Sequence, residues 1–463
     1  MPKKIIRRKH RLSSFQTITL GFAGVILLGA LLLMLPISTT AGCVTPFNET
    51  LFTATSAVCV TGLVVQDTGS YWSGFGQMII LVLIQIGGLG VITVAASFAL
   101  LSGRKISLMQ RSTMQDAISA PKVGGIVRLT RFILRGTFLI ELLGALAMLP
   151  VFCHDYGWRG IWMAVFHSIS AFCNAGFDIL GNNSMVPYVG NVWINLVICG
   201  LIIAGGLGFV VWIDLRLSLI HYREHFKYFK MKRYLESLSL HTKIALISTF
   251  VLIFGGMTVI FILEFQNPLT LKSLPFSQKI LASFFQSVTL RTAGFATVDM
   301  ASLHQATKFF MSIIMFIGGS PAGTAGGVKT VTFVIGLLYV RALMRGDENI
   351  HVFKRTIDDQ IVKRALTIML ISFAIALTGL FILSISEQAD FIDLLFEVFS
   401  AFATVGLTAG ITPTLTFVGK IVIIILMYIG RIGPITMVLI FVRKYNAKKG
   451  KDVNYIKEHI LIG

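Results

Sequence analysis

Apolar residues run along this chain in long blocks, without the alternation of a half-buried strand. The blocks cover residues 15–37, 75–101, 132–152, 191–213, 243–263, 307–343 with one interruption, 365–385 and 417–442. Each exceeds the ~20 residues that an α-helix needs to cross ~30 Å of hydrocarbon. Only helices and closed barrels satisfy their own backbone polar groups at that depth. The pattern therefore predicts an all-α polytopic membrane protein with eight transmembrane helices. Four shorter amphipathic stretches lie between paired spans, at 48–57, 158–171, 277–288 and 390–401. They are too short to cross, and predict re-entrant half-helices that enter and leave on one side.

The half-helices end alike: "SAVCVTGL" (56–63), "SAFCNAGF" (170–177), "VTLRTAGF" (288–295) and "SAFATVGL" (400–407). Their glycines, Gly62, Gly176, Gly294 and Gly406, stand 114, 118 and 112 residues apart. A second motif keeps step inside the following apolar run: "IGGLG" from Ile86, "AGGLG" from Ala204, "IGGSPAG" from Ile317 and "IGRIG" from Ile429, its first glycine 24 to 29 residues after the loop glycine. Two linked motifs at matched spacing, four times over, predict four span/half-helix/span repeats around one central axis. The expected boundaries are a basic N-terminus (1–11), repeats at 12–103, 104–218, 219–345 and 346–445, and a basic C-terminus (446–463).

Composition sharpens this picture. Hydrophobic residues make up 55% of the 463 and charged residues 13%, with mean hydropathy +0.81, which excludes an ordinary soluble domain. The net charge of +19 is one-sided: basic clusters at 1–11, 104–135, 216–243, 341–364 and 443–457 are separated by pairs of spans, and 41–73 holds no basic residue. The positive-inside rule makes those clusters cytoplasmic, predicting both termini inside and a multi-pass protein of the plasma membrane. Anionic lipid is the expected partner of the basic face, and no nucleic acid. The first run follows a basic stretch, as a signal peptide would, but its length and the seven spans behind it favour a retained helix. The lipoprotein reading of Thr40 to Cys43 fails for want of a Leu three residues before Cys43. Cys43, Cys59, Cys153, Cys173 and Cys199 form no CxxC and read as packing residues.

Non-helical backbone at membrane depth is tolerated where it lines a cavity. Four equivalent loops facing one axis place carbonyl oxygens where they replace a cation's hydration shell. Glycine fits there because it reaches positive φ without a Cβ clash. The half-helices add their negative C-terminal ends. Close helix packing through small residues explains much of the "GGLG" elements but not glycines at half-helix ends.

These loops, the paired spans, and the third repeat's "RTAGF" and "GGSPAGTAGG" resemble the KtrB-type membrane subunits of the Ktr/Trk/HKT superfamily of potassium transporters, over nearly the whole chain. The resemblance implies potassium uptake, sodium-dependent in some members, through a pore with one filter glycine per repeat. A serine at the first glycine accompanies sodium permeation in that superfamily; here it is Gly62. The expected K+-binding positions are Val58, Cys59, Val60, Thr61 and Gly62; Cys173, Asn174, Ala175 and Gly176; Arg291, Thr292, Ala293 and Gly294; and Ala403, Thr404, Val405 and Gly406. The resemblance further implies a homodimer with one pore per protomer, no covalent cofactor, and a ring of cytosolic RCK-type (KtrA-like) subunits binding ATP, ADP or NAD. The longest inner loops run about 30 residues, too short to bind a nucleotide themselves.

The sixth run is broken by Gly318, Gly319, Pro321, Gly323, Gly326 and Gly327. At ~1 kcal/mol per Gly and ~3 kcal/mol per Pro no straight helix survives there. A phosphate loop is excluded because Val328 stands where the Gly before the Lys is required. The resemblance makes this segment, with Thr324, a gate below the filter. Arg431 replaces a glycine of the fourth element, and an intramembrane charge faces the interior or water. It is expected near the gating loop as a barrier to cations, with a buried structural pair as the alternative. Arg291 is expected to turn away and brace its loop, with Glu397 as one partner. Asp67, Asp178 and Asp299 follow their glycines and stand where an outer vestibule would concentrate cations, or where ordinary loop residues would. A membrane enzyme lacks a ligand or nucleophile cluster, since His167 and Glu141 stand alone in sequence. A carrier with twofold repeats fits the fourfold pattern poorly.

Overall fold

A computed structural model describes residues 14–95, 113–115, 126–181, 184–225 and 231–434. The expected basic termini 1–11 and 446–463, and the basic cluster before residue 126, lie outside the described residues.

Four units of helix, half-helix and helix follow one another. The first comprises α1 (Ser14–Leu33), α2 (Phe47–Cys59) and α3 (Gly74–Leu89). The second has α4 (Ile126–Tyr156), α5 (Arg159–Cys173) and α6 (Val192–Gly206), with α7 (Phe209–His225) and α8 (Met231–Ser237) beyond. The third has α9 (Leu240–Glu264), α10 (Phe276–Thr289), α11 (Gln305–Phe316) and α12 (Thr330–Arg345), and the fourth α13 (Asp359–Ser386), α14 (Phe391–Ala403) and α15 (Phe417–Ile432). A two-residue hairpin, β1 (His351–Val352) and β2 (Arg355–Thr356), joins the third unit to the fourth.

The first helix of each unit is the full span. Among the described residues α1, α4, α9 and α13 are long and apolar enough to cross a membrane, and α6 with α7 forms a fifth candidate bent by 90°. Their outer faces are oil-like: Leu27, Leu28 and Leu31 on α1, Leu139, Leu142 and Leu143 on α4, and Phe250, Val251 and Phe254 on α9 are all exposed. Such a surface suits lipid and is prohibitive in water. Basic Arg128, Arg131 and Arg135 stand at the start of α4, whose other end leads into a half-helix. The basic side and the half-helix side are therefore opposite ends of the span.

The half-helices contain 13, 15, 14 and 13 residues, ~20 Å each at 1.5 Å per residue. They begin one residue from the expected positions and run one or two residues further. In α2 the C-terminal two turns, Phe52 to Cys59, are buried throughout.

The second helices correct one expectation. An interruption was expected in the third alone, yet all four stop at the glycine element: α3 before Gly90, α6 at Gly206, α11 at Phe316 and α15 before Gly433. Past α3, α6 and α15 the chain turns at glycines of positive φ, 84° at Gly90, 86° at Gly208 and 94° at Gly433, and glycines within the same elements allow close approach. A Cβ on Gly87, Gly205 or Gly430 would collide with the carbonyl oxygen of Val58, Phe172 or Phe402, each in the last turn of its half-helix. The "GGLG" glycines thus dock half-helix ends instead of only packing spans together.

Polar pairs tie the first unit to the second, the third to the fourth and the fourth to the first. Trp162 Nε1 of α5 donates to Gln77 of α3 at 2.9 Å, Lys308 of α11 pairs with Asp393 of α14 at 2.8 Å, and Lys420 of α15 faces Glu49 of α2 at 4.0 Å. The last contact closes the ring, fourth unit to first.

Candidate ion pathway

Past each half-helix the backbone alternates in hand. Val60, Asn174, Thr292 and Thr404 have φ of 57°, 58°, 69° and 54°, and two residues later Gly62, Gly176, Gly294 and Gly406 have φ of 97°, 68°, 85° and 93°. This alternation turns successive carbonyls to one side. Left-handed backbone at a β-branched residue such as Val60 or Thr404 costs ~1–3 kcal/mol and persists only where surroundings enforce it.

Helix capping enforces it here. The Val60 N–H donates to Ala57 O at 3.1 Å and the Thr61 N–H to Ser56 O at 2.8 Å, and the same two bonds form at Asn174/Ala175 and at Thr404/Val405. The repeated Ser adds a side-chain bond: Ser56 Oγ accepts from the Gly62 N–H at 3.0 Å and Ser400 Oγ from the Gly406 N–H at 3.1 Å, while Ser170 Oγ donates to Phe177 O at 2.7 Å. Val288 takes that place in the third repeat, where the Ala293 N–H donates to Thr289 O at 2.9 Å. The serine of "SA" was visible in three motifs, but its bonding role was not inferred.

The four strands meet at one axis. A Cβ on Gly62 would lie 2.5 Å from Ala175 O, one on Gly176 2.8 Å from Ala293 O, and one on Gly294 2.6 Å from Val405 O; on Gly406 it would collide with Thr61 O. Each glycine abuts the carbonyl preceding the next, and the cycle closes. Nearby, Thr61, Thr292 and Thr404 hold buried hydroxyls, and Asn174 a buried amide oxygen, without partners among the described residues.

Some expected filter positions sit differently. Val58 and Cys59 belong to α2, with the Val58 carbonyl covered by Gly87; Cys173 and Ala403 are the last residues of α5 and α14. The non-helical strand is accordingly Val60 to Gly62 and its counterparts. Helix continues because Val58 and Cys59 still find carbonyl partners one turn back, where a loop was expected. Arg291 does turn off the axis, but toward α9: Nη2 reaches Thr249 Oγ1 at 3.4 Å, while Nε and Nη1 have no partner among the described residues. Glu397 is not its partner, for that carboxyl accepts from the Thr412 hydroxyl.

Beneath the strands lies the broken third element. Gly318 N donates to Val328 O at 2.8 Å and Thr330 N to Gly319 O at 3.0 Å, folding 317–330 back on itself. Ser320 N donates to Gly206 O at 2.9 Å, and Thr324 Oγ1 to Phe172 O at 3.3 Å. A Cβ on Gly326 would collide with Thr404 Oγ1, and one on Gly327 would sit 3.1 Å from Ala403. The segment therefore touches two half-helix ends at once. Arg431 clasps it: Nη1 donates to Thr324 O, and Nη2 to Gly87 O (2.5 Å) and Gly88 O (3.4 Å). Lys329, which the sequence reading passed over, donates to Ala325 O and Gly326 O. A cavity of about 210 Å³ borders Gly323, Gly327, Lys329 and Arg431.

Above the strands a cavity of about 910 Å³ has the four glycines on its floor and Asp67, Asp178 and Asp299 on its wall. Each carboxylate also caps a local turn, as Asp67 does by accepting from the Ser70 N–H at 2.7 Å. Burial, and the Asp67 carboxylate beside it, push the half-buried Asp178 up to about 7. His167 is not isolated either: Nδ1 donates to Met163 O at 2.7 Å and Nε2 accepts from the Ile179 N–H at 3.4 Å, holding the strand that leaves Gly176.

The TrkH family profile, described as a cation transport protein, matches residues 13–451. The potassium/sodium uptake protein NtpJ of Enterococcus hirae is 40% identical over 100% of this chain and 99% of its own length. The Ktr system potassium uptake protein B of Bacillus subtilis is 44% identical (92% of this chain, 93% of that protein), and its namesake in Vibrio alginolyticus 38% (92% and 90%). The crystal structure of the potassium transporter TrkH from Vibrio parahaemolyticus superposes with TM-score 0.72 over 95% of this chain and 87% of that one; at 17% identity this speaks for the fold. A profile spanning nearly the whole length, on a bundle whose loops close one ring, identifies the chain as a member of the TrkH family of cation transport proteins, a multi-pass membrane transporter and not an enzyme.

Proposed function

We propose that the protein takes up potassium across the plasma membrane, selecting the ion at the four glycine-bearing strands and controlling its passage at the broken third element. The observation that carries this reading is the closed cycle in which each filter glycine abuts the next strand's carbonyl. Carbonyls turned to one side at a common axis replace the hydration shell of a cation of K+ size. The names of the relatives at 40% and 44% identity, uptake proteins for potassium or for potassium and sodium, support the same ion, with sodium accompanying or promoting its transport.

The segment 317–330 and Arg431 form the gate. A guanidinium fixed to carbonyls below the filter is an electrostatic barrier to a cation, lowered when the loop shifts and carries Thr324 away. Two protomers associate, each with its own pore, and both termini are cytoplasmic. A cytosolic RCK-type ring binding an adenine nucleotide or NAD docks on the basic face. The word "system" in two relatives' names fits a further component.

Uptake of Rb+ and Na+ in cells lacking their own potassium transport tests the filter. Gly62→Ser places a Cβ 2.5 Å from Ala175 O on backbone of φ 97°, and it is expected to lower Rb+ over Na+ discrimination by about tenfold or more. Discrimination equal to wild type would overturn the filter assignment.

A further inference from the structure

Glu141 is a carboxyl in the middle of a span, on a helix whose adjacent residues Leu139, Leu142 and Leu143 face outward. It is 4% exposed and turned into the bundle. Gln85 Nε2 of α3 donates to its Oε2 at 3.2 Å; Cys173 Sγ, at the last residue of α5, lies 3.8 Å from its Oε1 and 3.8 Å from Gln85 Oε1. Carboxyl, amide and thiol form a closed triangle.

The fold does not need a carboxyl there. The Glu141 carbonyl accepts from Ser168 Oγ at 2.6 Å as the Ile253 carbonyl accepts from Ser287 Oγ at 2.5 Å in the third unit. Three residues on, Gly144 and Gly256 each sit where a Cβ would meet that serine hydroxyl at 2.5 Å. The two positions are equivalent, and isoleucine serves at one of them. An intramembrane carboxyl carries a solvation cost that isoleucine lacks, which makes it a candidate for function.

Its two partners lead to the pathway. Cys173 is followed directly by Asn174, the left-handed residue of the second strand, whose Nδ2 donates at 3.3 Å to the carbonyl of Arg291, directly before the third strand. Gln85 stands two and three residues before Gly87 and Gly88, whose carbonyls hold Arg431. Arg291, Lys329 and Arg431 lie below the strands, and among the described residues none is in ion-pair contact with a carboxylate.

We propose that Glu141 is a positioning residue for ion selection: through Gln85 and Cys173 its carboxyl sets the placement of the second filter strand and of the carbonyls that clasp Arg431. The inference rests on the reading of the four strands as a potassium filter. Other titratable groups on the elements packed against Glu141 are Cys173, His167 and Arg159 on α5 and Cys199 on α6, with Arg431 of α15 reaching toward Cys173.

The test measures Rb+ and Na+ uptake from about pH 5.5 to about pH 8.5, with membrane abundance determined in parallel, for wild type, Glu141→Gln and Cys173→Ala. Glu141→Gln keeps the shape and the bond to Gln85 but cannot ionise. It is expected to lower Rb+ over Na+ discrimination by roughly twofold to thirtyfold, the span of coupling effects, and to flatten whatever pH dependence the wild-type ratio shows. Cys173→Ala cuts the triangle at its other end and is expected to lower the ratio likewise. Wild-type discrimination and pH profile in Glu141→Gln at normal abundance would overturn the proposal. Should that variant fail to reach the membrane, an unchanged ratio in Cys173→Ala would overturn it instead. Wild type without Rb+ uptake would remove the filter reading itself, and this inference with it.

Discussion

Two single residues set opposite charges at the two ends of the pathway. Arg431 makes its bonds to backbone oxygens, so its charge is held in place without being neutralised. Arg431→Gln keeps a donor toward Thr324 O and removes the charge. Maximal Rb+ uptake is expected to rise several-fold at little-changed apparent affinity, since the proposed barrier is lowered and the proposed filter is not touched; transport kinetics in whole cells check this, and an unchanged maximal rate argues for a purely structural clasp. Asp178 acts at the other end. With its carboxyl pushed up to about 7 by burial and by Asp67, it is mostly neutral at pH 6 and mostly ionised at pH 8. The vestibule therefore loses negative charge as pH falls through 7, and apparent affinity for Rb+ is expected to weaken by roughly threefold, in line with a partly screened charge. Asp178→Asn should abolish that dependence, and raised salt should blunt it in wild type.

Elements rather than residues decide what was readable from the chain. The glycines Gly62, Gly176, Gly294 and Gly406, the half-helices and the break at 317–330 all follow from local rules: length against bilayer thickness, and positive φ at a helix end. The first half-helix is expected to end two residues before it does, at residue 57 and not Cys59, because helix termination depends on which carbonyl the next N–H reaches. The breaks after α3, α6 and α15 fall at Gly90, Gly208 and Gly433, whose positive φ is a local feature, whereas the docking of Gly87, Gly205 and Gly430 against the half-helix carbonyls of Val58, Phe172 and Phe402 is contained in no local window. The same holds for Gln77, Lys308 and Lys420, spaced like the glycines yet meaningful only once α3, α11 and α15 meet the next unit's half-helix. Lys308 and Asp393 make the sharpest test. Their side chains are 8% and 19% exposed, so removing one partner strands a charge. Lys308→Met is expected to destabilise by about 3 kcal/mol, and the Lys308→Met, Asp393→Leu double variant to recover most of that. Thermal unfolding in detergent measures both; additive losses would show that the pair is not coupled.

At the scale of the molecule, the decisive fact is that the ring closes within one chain. Gly406 of the fourth unit abuts Thr61 of the first, and Lys420 reaches Glu49 across the same seam. Four subunits build such a ring elsewhere by symmetry, where one defective copy spoils the whole. Here the ring is complete without a second copy, so in the proposed dimer each protomer would keep a pathway of its own. Gly406→Ala, whose Cβ would run into the Thr61 carbonyl, should silence its own chain. Expressed together with wild type in equal amounts, it is expected to leave about half of the Rb+ uptake of two wild-type copies, because the partner's ring is untouched. Purifying the mixed dimer through two different tags and measuring its flux in proteoliposomes separates the alternatives. A flux near zero would mean that the rings are coupled and that a silent filter in one protomer closes the gate of the other; a flux near half, with unaltered ion preference, follows directly from a filter whose four strands belong to one polypeptide.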